Sequence, residues 1–188
     1  MSANKMKTYI SILRGINVSG HKMIKMKALQ ELYENLGFRK VRIYIQSGNV
    51  VFENIPAETG KLEKMISDGI LKVFGFEVPV IVMEKGELNE IVAHNAFILE
   101  RGEDISKIHV TILSREPEKH LVENIGSIEY LPDEFNIRGK AVYLFCPKGY
   151  GNTKLSNTFF EKKLKVQATT RNWKTMIELI KISEGSTT

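Results

Sequence analysis

At 188 residues and 43% hydrophobic content, the chain is long enough to bury a sizeable core, as one compact domain or as two small ones sharing an interface. It has no run of about 18 apolar residues, no basic segment leading into an apolar one over residues 1–8, and a single cysteine, Cys146. No membrane span, secretory leader or internal disulfide is therefore expected, and a cytoplasmic protein without a membrane partner is. The net charge of +5 is unevenly spread: nine Lys and Arg against two acids over residues 1–52, eight against seventeen over 53–134, and ten against three over 135–188. Solvated helix faces can segregate charge in this way; the sharper reading is that two basic ends meet around an anion.

Met6 to Leu13 alternates with a period of two and is expected to be a strand. A basic, glycine-bearing turn follows, with Arg14, Asn17, His21, Lys22 and Lys25. Lys25 to Leu36 then carries Met26, Leu29, Tyr33 and Leu36 at helical spacing, stopped by Gly37. Val41 to Gln46 and Asn49 to Glu53 read as a hairpin turned at Ser47-Gly48. Leu62 to Phe74 reads as a helix ending at Gly75, and Val78 to Met83 as a strand. This order is βαββαβ. After a short helical pattern at Leu88, Ile91 and Val92, an acidic stretch from Glu100 to Asp104 reads as a linker.

The same order then recurs. Ile108 to Leu113 is expected as a strand, Pro117 to Ile125 as a helix with proline in its first turn, and Phe135 to Ile137 with Ala141 to Phe145 as a hairpin. Asn157 to Leu164 reads as a helix, Val166 to Thr170 as a strand, Trp173 to Ile182 as a closing helix and Ser183 to Thr188 as a frayed tail. The fold class is α+β, a tandem duplication of ferredoxin-like units with antiparallel sheets and extra helices: 1–84, a connecting helix and acidic linker at 85–106, and 107–188.

In a βαββαβ unit the turn after strand one and the turn between strands two and three share an edge. Arg14, Asn17, Lys22, Gln46, Ser47 and Asn49 are thus expected to be neighbours. In the second half, Gly149-Tyr-Gly-Asn-Thr-Lys-Leu-Ser156 and Thr169-Thr-Arg-Asn-Trp173 lie at the opposite edge. If those edges face each other, all four segments converge in one basic cleft. Gly149 and Gly151 let backbone N–H groups approach a ligand, Asn152 or Thr153 can cap the next helix, and Lys154 adds charge. The spacing is not a P-loop, and a plain strand-to-helix connection explains it equally. Gln46, Ser47 and Asn49 offer hydrogen bonds, although turn chemistry alone explains Ser-Gly-Asn. Arg171 offers a bidentate fork, Asn172 a further hydrogen bond, and Trp173 either a stacking surface or a core anchor.

His94, His109 and His120 lack ligand spacing, and no metal site or cofactor is expected. His21 stands in the basic turn as an acid or base without an evident carboxylate. Cys146 alternates with Val142 and Leu144 and reads as core. Tyr9 and Tyr44 share a parity that would suit base stacking if it faced outward, but the RNA-recognition signature is missing.

Leu13-Arg-Gly-Ile-Asn-Val18, Tyr44-Ile-Gln-Ser-Gly-Asn-Val-Val-Phe52, Lys154-Leu155 and Ala168-Thr-Thr-Arg-Asn-Trp173 together resemble a bacterial family, the domain-of-unknown-function family 1697. The resemblance implies a duplicated ferredoxin-like fold, a cytosolic location and no established activity. Ser19, Lys25 and Thr153 stand where the family usually has Gly, Pro and Ser.

The function expected is binding of a phosphate-bearing ligand, such as a nucleotide or an RNA end, by Arg14, Asn17, Lys22, Gln46, Ser47, Asn49, Lys154, Arg171, Asn172 and Trp173. Two alternatives stand beside it: an enzyme of small phosphorylated or carboxylated metabolites, and an interaction module whose motifs only lock the halves together. Oligomeric state is not specified by the sequence.

Overall fold

Hydrophobic alternation and helical spacing resolve into two βαββαβ units in a computed structural model that describes residues 5–126 and 129–185. The readings made for residues 1–4 and for the tail beyond Gly185 lie outside the described residues. The first unit contains β1 (Lys7–Leu13), α1 (Met26–Asn35), β2 (Arg39–Tyr44), β3 (Asn49–Asn54), α2 (Thr59–Phe74) and β4 (Val80–Glu84). Its sheet has the order β2-β3-β1-β4, antiparallel throughout. After α3 (Lys85–Ala93) and α4 (Ala96–Leu99), the second unit repeats the pattern. It comprises β5 (Ile108–Leu113), α5 (Lys119–Gly126), β6 (Glu134–Arg138), β7 (Ala141–Phe145), α6 (Asn157–Leu164) and β8 (Ala168–Asn172). The order β6-β7-β5-β8 reproduces the first sheet. The chain is thus mixed α+β, a tandem ferredoxin-like repeat closed by α7 (Trp173–Ser183). Compactness divides it within α3, at Asn89/Glu90, and within α7, at Ile177/Glu178.

In the first unit Tyr9, Leu13, Val50, Phe52, Val80 and Val82 form one cluster with Leu29, Leu32 and Tyr33 of α1 and Leu62, Ile66 and Ile70 of α2. Phe52 is its hub: its ring centre lies 4.4 Å from that of Phe38, 5.6 Å from Tyr33 and 5.7 Å from Tyr9. Truncating such a ring to alanine costs about 3–5 kcal/mol. Buried hydroxyls are satisfied: Ser11 Oγ lies 2.7 Å from Tyr33 Oη, and Tyr9 Oη accepts from Ala57 N at 3.0 Å. Tyr9 therefore belongs to the core, not to an outward stacking face, because its parity on β1 is that of the helices. Ile10, Ile12, Val51, Ile81 and Met83, of the other parity, are buried as well.

The second core joins Leu113, Val142, Leu144, Cys146, Leu155, Phe160, Leu164 and Ala168. Ser156 caps α6, its Oγ accepting from Phe159 N at 3.3 Å, where Asn152 or Thr153 had been expected. The acidic stretch after α4 is not a loose tether. Arg101 donates to Glu134 at 2.7 Å, pairs with Glu103, and sits 5.2 and 5.3 Å over the rings of Phe97 and Phe145. Several boundaries differ from the periodicity: β2 stops at Tyr44, α2 begins at Thr59, β4 runs from Val80 to Glu84, β8 from Ala168 to Asn172, and α5 begins only at Lys119, so that Pro117 precedes the helix instead of lying in its first turn. Ser183 ends α7, with its Oγ donating to Ile180 O at 2.7 Å. No helix among the described residues is long and apolar enough to cross a membrane.

Candidate functional site

Each unit gathers its flagged residues at one end of its sheet, with contrasting results. In the first unit the link from β1 to α1 meets the β2–β3 turn, as the topology requires. Leu13 N donates to Gly48 O at 2.8 Å. A β-carbon on Gly48 would stand 2.7 Å from Leu13 Cβ and 2.8 Å from Ile16 Cδ1, and its φ is +76°, so only glycine fits. Asn17, itself at φ 54°, fastens both loops. Its Nδ2 donates to Ile24 O and to Gln46 O, each at 3.0 Å, and its Oδ1 accepts from Ile24 N at 2.8 Å.

Asn49 is fully buried; its Nδ2 donates to Tyr44 O at 3.2 Å and to Ser47 Oγ at 2.9 Å. Asn17, Ser47 and Asn49 are thus engaged inside the fold. Lys22 Nζ donates to Glu77 O at 2.6 Å while staying exposed. Arg14 is half-buried, its N–H donating to Pro79 O at 3.0 Å. Gln46 projects into solvent, as do His21 and Lys25. The six candidates of this half are brought together, but the two asparagines are used to fix the loops.

In the second unit the segment from Cys146 to Ser156 is ordered by its own backbone. Gly149, at φ +89°, donates to Cys146 O at 2.9 Å, and Asn152 N donates to Gly149 O at 3.1 Å. Asn152 Nδ2 donates to Lys148 O at 2.9 Å, and Thr153 Oγ1 accepts from Leu155 N at 3.1 Å. Tyr150 ties this loop to the sheet. Its hydroxyl donates to Thr170 Oγ1 at 3.0 Å, and its ring stacks on His109 with centres 4.9 Å apart. Thr170 Oγ1 donates to Asn157 Oδ1 at 2.7 Å, so Thr111, 2.6 Å away, is the donor in that pair. Burial lowers the His109 pKa, and its Nδ1 has no hydrogen-bond partner among the described residues.

Beside this loop lies a hollow of about 410 Å³. It is lined by Lys148, Asn152 and Lys154 from one segment of the chain and by Glu129, Tyr130, Leu131, Pro132 and Asp133 from another. Among the described residues no ion pair within 4.0 Å joins the two segments. A second hollow of about 260 Å³ continues past Tyr130 to Glu134 and Phe135. Charges of both signs lining a space of this size, within the roughly 300–1,000 Å³ of small-molecule sites, suit a dipolar ligand. The lysines would take its anionic end and the carboxylates its N–H donors. Cys146 lies buried nearby, its thiol pushed up to about 11, by burial first and then by Asp133; it is a core thiol, not a nucleophile.

Of the second-half candidates only Lys154 lines the hollow. Arg171, Asn172 and Trp173 mark the junction of β8 with α7. Asn172 Oδ1 accepts from Thr175 N at 2.8 Å, and Trp173 is 5% exposed. Arg171 Nη1 donates to Thr170 O at 2.9 Å, and burial pulls its pKa down to about 10. Glu129 and Asp133 escaped the sequence reading, as did the place of Lys148 beside Lys154. The lysine was legible directly before the Gly-Tyr-Gly segment; the acids come from the lead into β6 and carry no local signal. No group of three or more metal-ligating side chains occurs among the described residues.

A family model described as a protein of unknown function, DUF1697, matches residues 6–143. Among solved structures, a conserved bacterial protein of Streptococcus pneumoniae, SP0830, is similar in fold. Its TM-score is 0.75 at 21% identity, over 95% of this chain and 99% of that one. A search of curated proteins gives no match.

Proposed function

We propose, from the premise that the chain belongs to the DUF1697 family of proteins of unknown function, that it is a cytosolic binder of a small phosphate-bearing ligand of the nucleotide type. The observation that carries this reading is the set of charges, Lys148 and Lys154 together with Glu129 and Asp133, that lines a hollow of about 410 Å³ in the second unit. The phosphate lies between the two ammonium groups, and the carboxylates accept from the exocyclic amine of a base. A charged hydrogen bond of this kind contributes about 1.5–3 kcal/mol. Support for a cytosolic setting is the lone, buried free thiol of Cys146.

Thermal-shift titration with adenosine monophosphate, adenosine and inorganic phosphate tests the reading, because a ligand that binds only the folded chain raises its melting temperature. The monophosphate should stabilise the protein more than either half alone. Lys148→Ala with Lys154→Ala should abolish the shift while leaving the melting temperature of the free protein nearly unchanged. An equal shift in that variant would reject the hollow as the site.

A further inference from the structure

We infer that the loop pair at the β1 end of the first unit is a docking tip for an anionic lipid surface. This goes beyond the ligand hollow and rests on other residues. Residues 18–23 are all exposed in an unbroken row. Val18 at 57%, Met23 at 62% and, from the neighbouring turn, Ile45 at 50% present aliphatic side chains to water. Ile45 does so at φ 50°, a conformation that β-branched residues avoid. Asn17 fastens both loops through Ile24 and Gln46, so the apolar side chains ride on a rigid mount and need no folding step on contact.

Their surroundings decide the occupant. His21, Lys22 and Lys25 are exposed on the same loop, no acid interrupts the chain between Met6 and Gln30, and the two lysines outnumber the exposed Glu77 whose backbone oxygen Lys22 holds at 2.6 Å. An aliphatic tip rimmed by cations is complementary to anionic headgroups over acyl chains. Single-stranded nucleic acid, which wants aromatic platforms, fits it less well: none of the three exposed apolar side chains is aromatic. Scattered exposed aliphatics need no explanation; three of them on two fastened loops, one held in a disfavoured backbone conformation, do.

The test is co-sedimentation of the full chain with vesicles of phosphatidylcholine alone and of phosphatidylcholine mixed equally with phosphatidylglycerol. Binding to the anionic vesicles only, weakening as salt rises, is expected. Ile45→Asn is the decisive variant, because asparagine tolerates a positive φ: it should fold at least as stably as the parent yet bind about tenfold more weakly. Val18→Ser with Met23→Ser should lower binding further. Equal binding by Ile45→Asn, or loss only when Lys22 and Lys25 are replaced, would overturn the proposal by reducing the contact to general electrostatics. Capture by polyglutamate without vesicle binding would also overturn it, and would assign the tip to an acidic protein segment.

Discussion

The two units share a topology yet treat the polar residues at their loop ends in opposite ways. In the first, Asn17 and Asn49 bond the backbone of two loops, and Ser47 accepts from Asn49. In the second, Lys148 and Lys154 line a hollow together with Glu129 and Asp133, with no ion pair between the two signs among the described residues. The difference teaches that residue type alone does not mark a site. An asparagine whose donors and acceptor are used by the chain is architecture; a charge held unpaired at a hollow is available to a ligand.

The comparison predicts large stability effects at the first end and small ones at the second. Gly48→Ala should be the most damaging, at about 3 kcal/mol or more, since it adds a contact of 2.7 Å to Leu13 Cβ at a left-handed φ. Asn17→Ala should cost about 2–3 kcal/mol, because it removes three hydrogen bonds and strands Ile24 N. Both are read by urea denaturation. A loss below about 0.5 kcal/mol for Asn17→Ala would break the contrast and return that residue to the ligand-binding set.

His109 sharpens the second side. Its pKa is lowered by burial from 6.5, so the neutral form belongs to the fold. The stability it contributes is complete above 6.5 and is lost as pH falls through the lower folded-state value. His109→Gln should flatten that part of the stability profile, as measured by melting temperature against pH. The smallest effect is expected at the hollow itself: Lys154→Ala should change stability by about 0.5 kcal/mol or less. A larger loss would mean that the loop depends on Lys154 for its shape.

The sequence carried the fold well because both periodicities were clean. Tyr9 and Leu13 alternate against Ile10 and Ile12 on β1, and Leu29, Leu32 and Tyr33 recur along α1. It misplaced the end of β2 because Ile45 continues the apolar alternation while its backbone has already turned to φ 50°. The site was less legible. Turn chemistry and ligand chemistry draw on the same residues, so Asn17 and Asn49 looked like ligand groups until their partners were visible. Glu129 and Asp133 come to line one hollow with Lys148 and Lys154 only through the second unit's tertiary packing, some twenty residues apart in the chain. The tip was hidden for a related reason: a search for membrane spans does not register three aliphatic side chains drawn from two loops.

Calorimetric titration of adenosine monophosphate into the parent protein and into the Lys148→Ala/Lys154→Ala variant tests the central claim most directly. The account predicts saturable binding to the parent that weakens with salt and disappears in the variant, with the melting temperature of the free protein preserved. Binding of equal affinity to both proteins, or none to either, would contradict it.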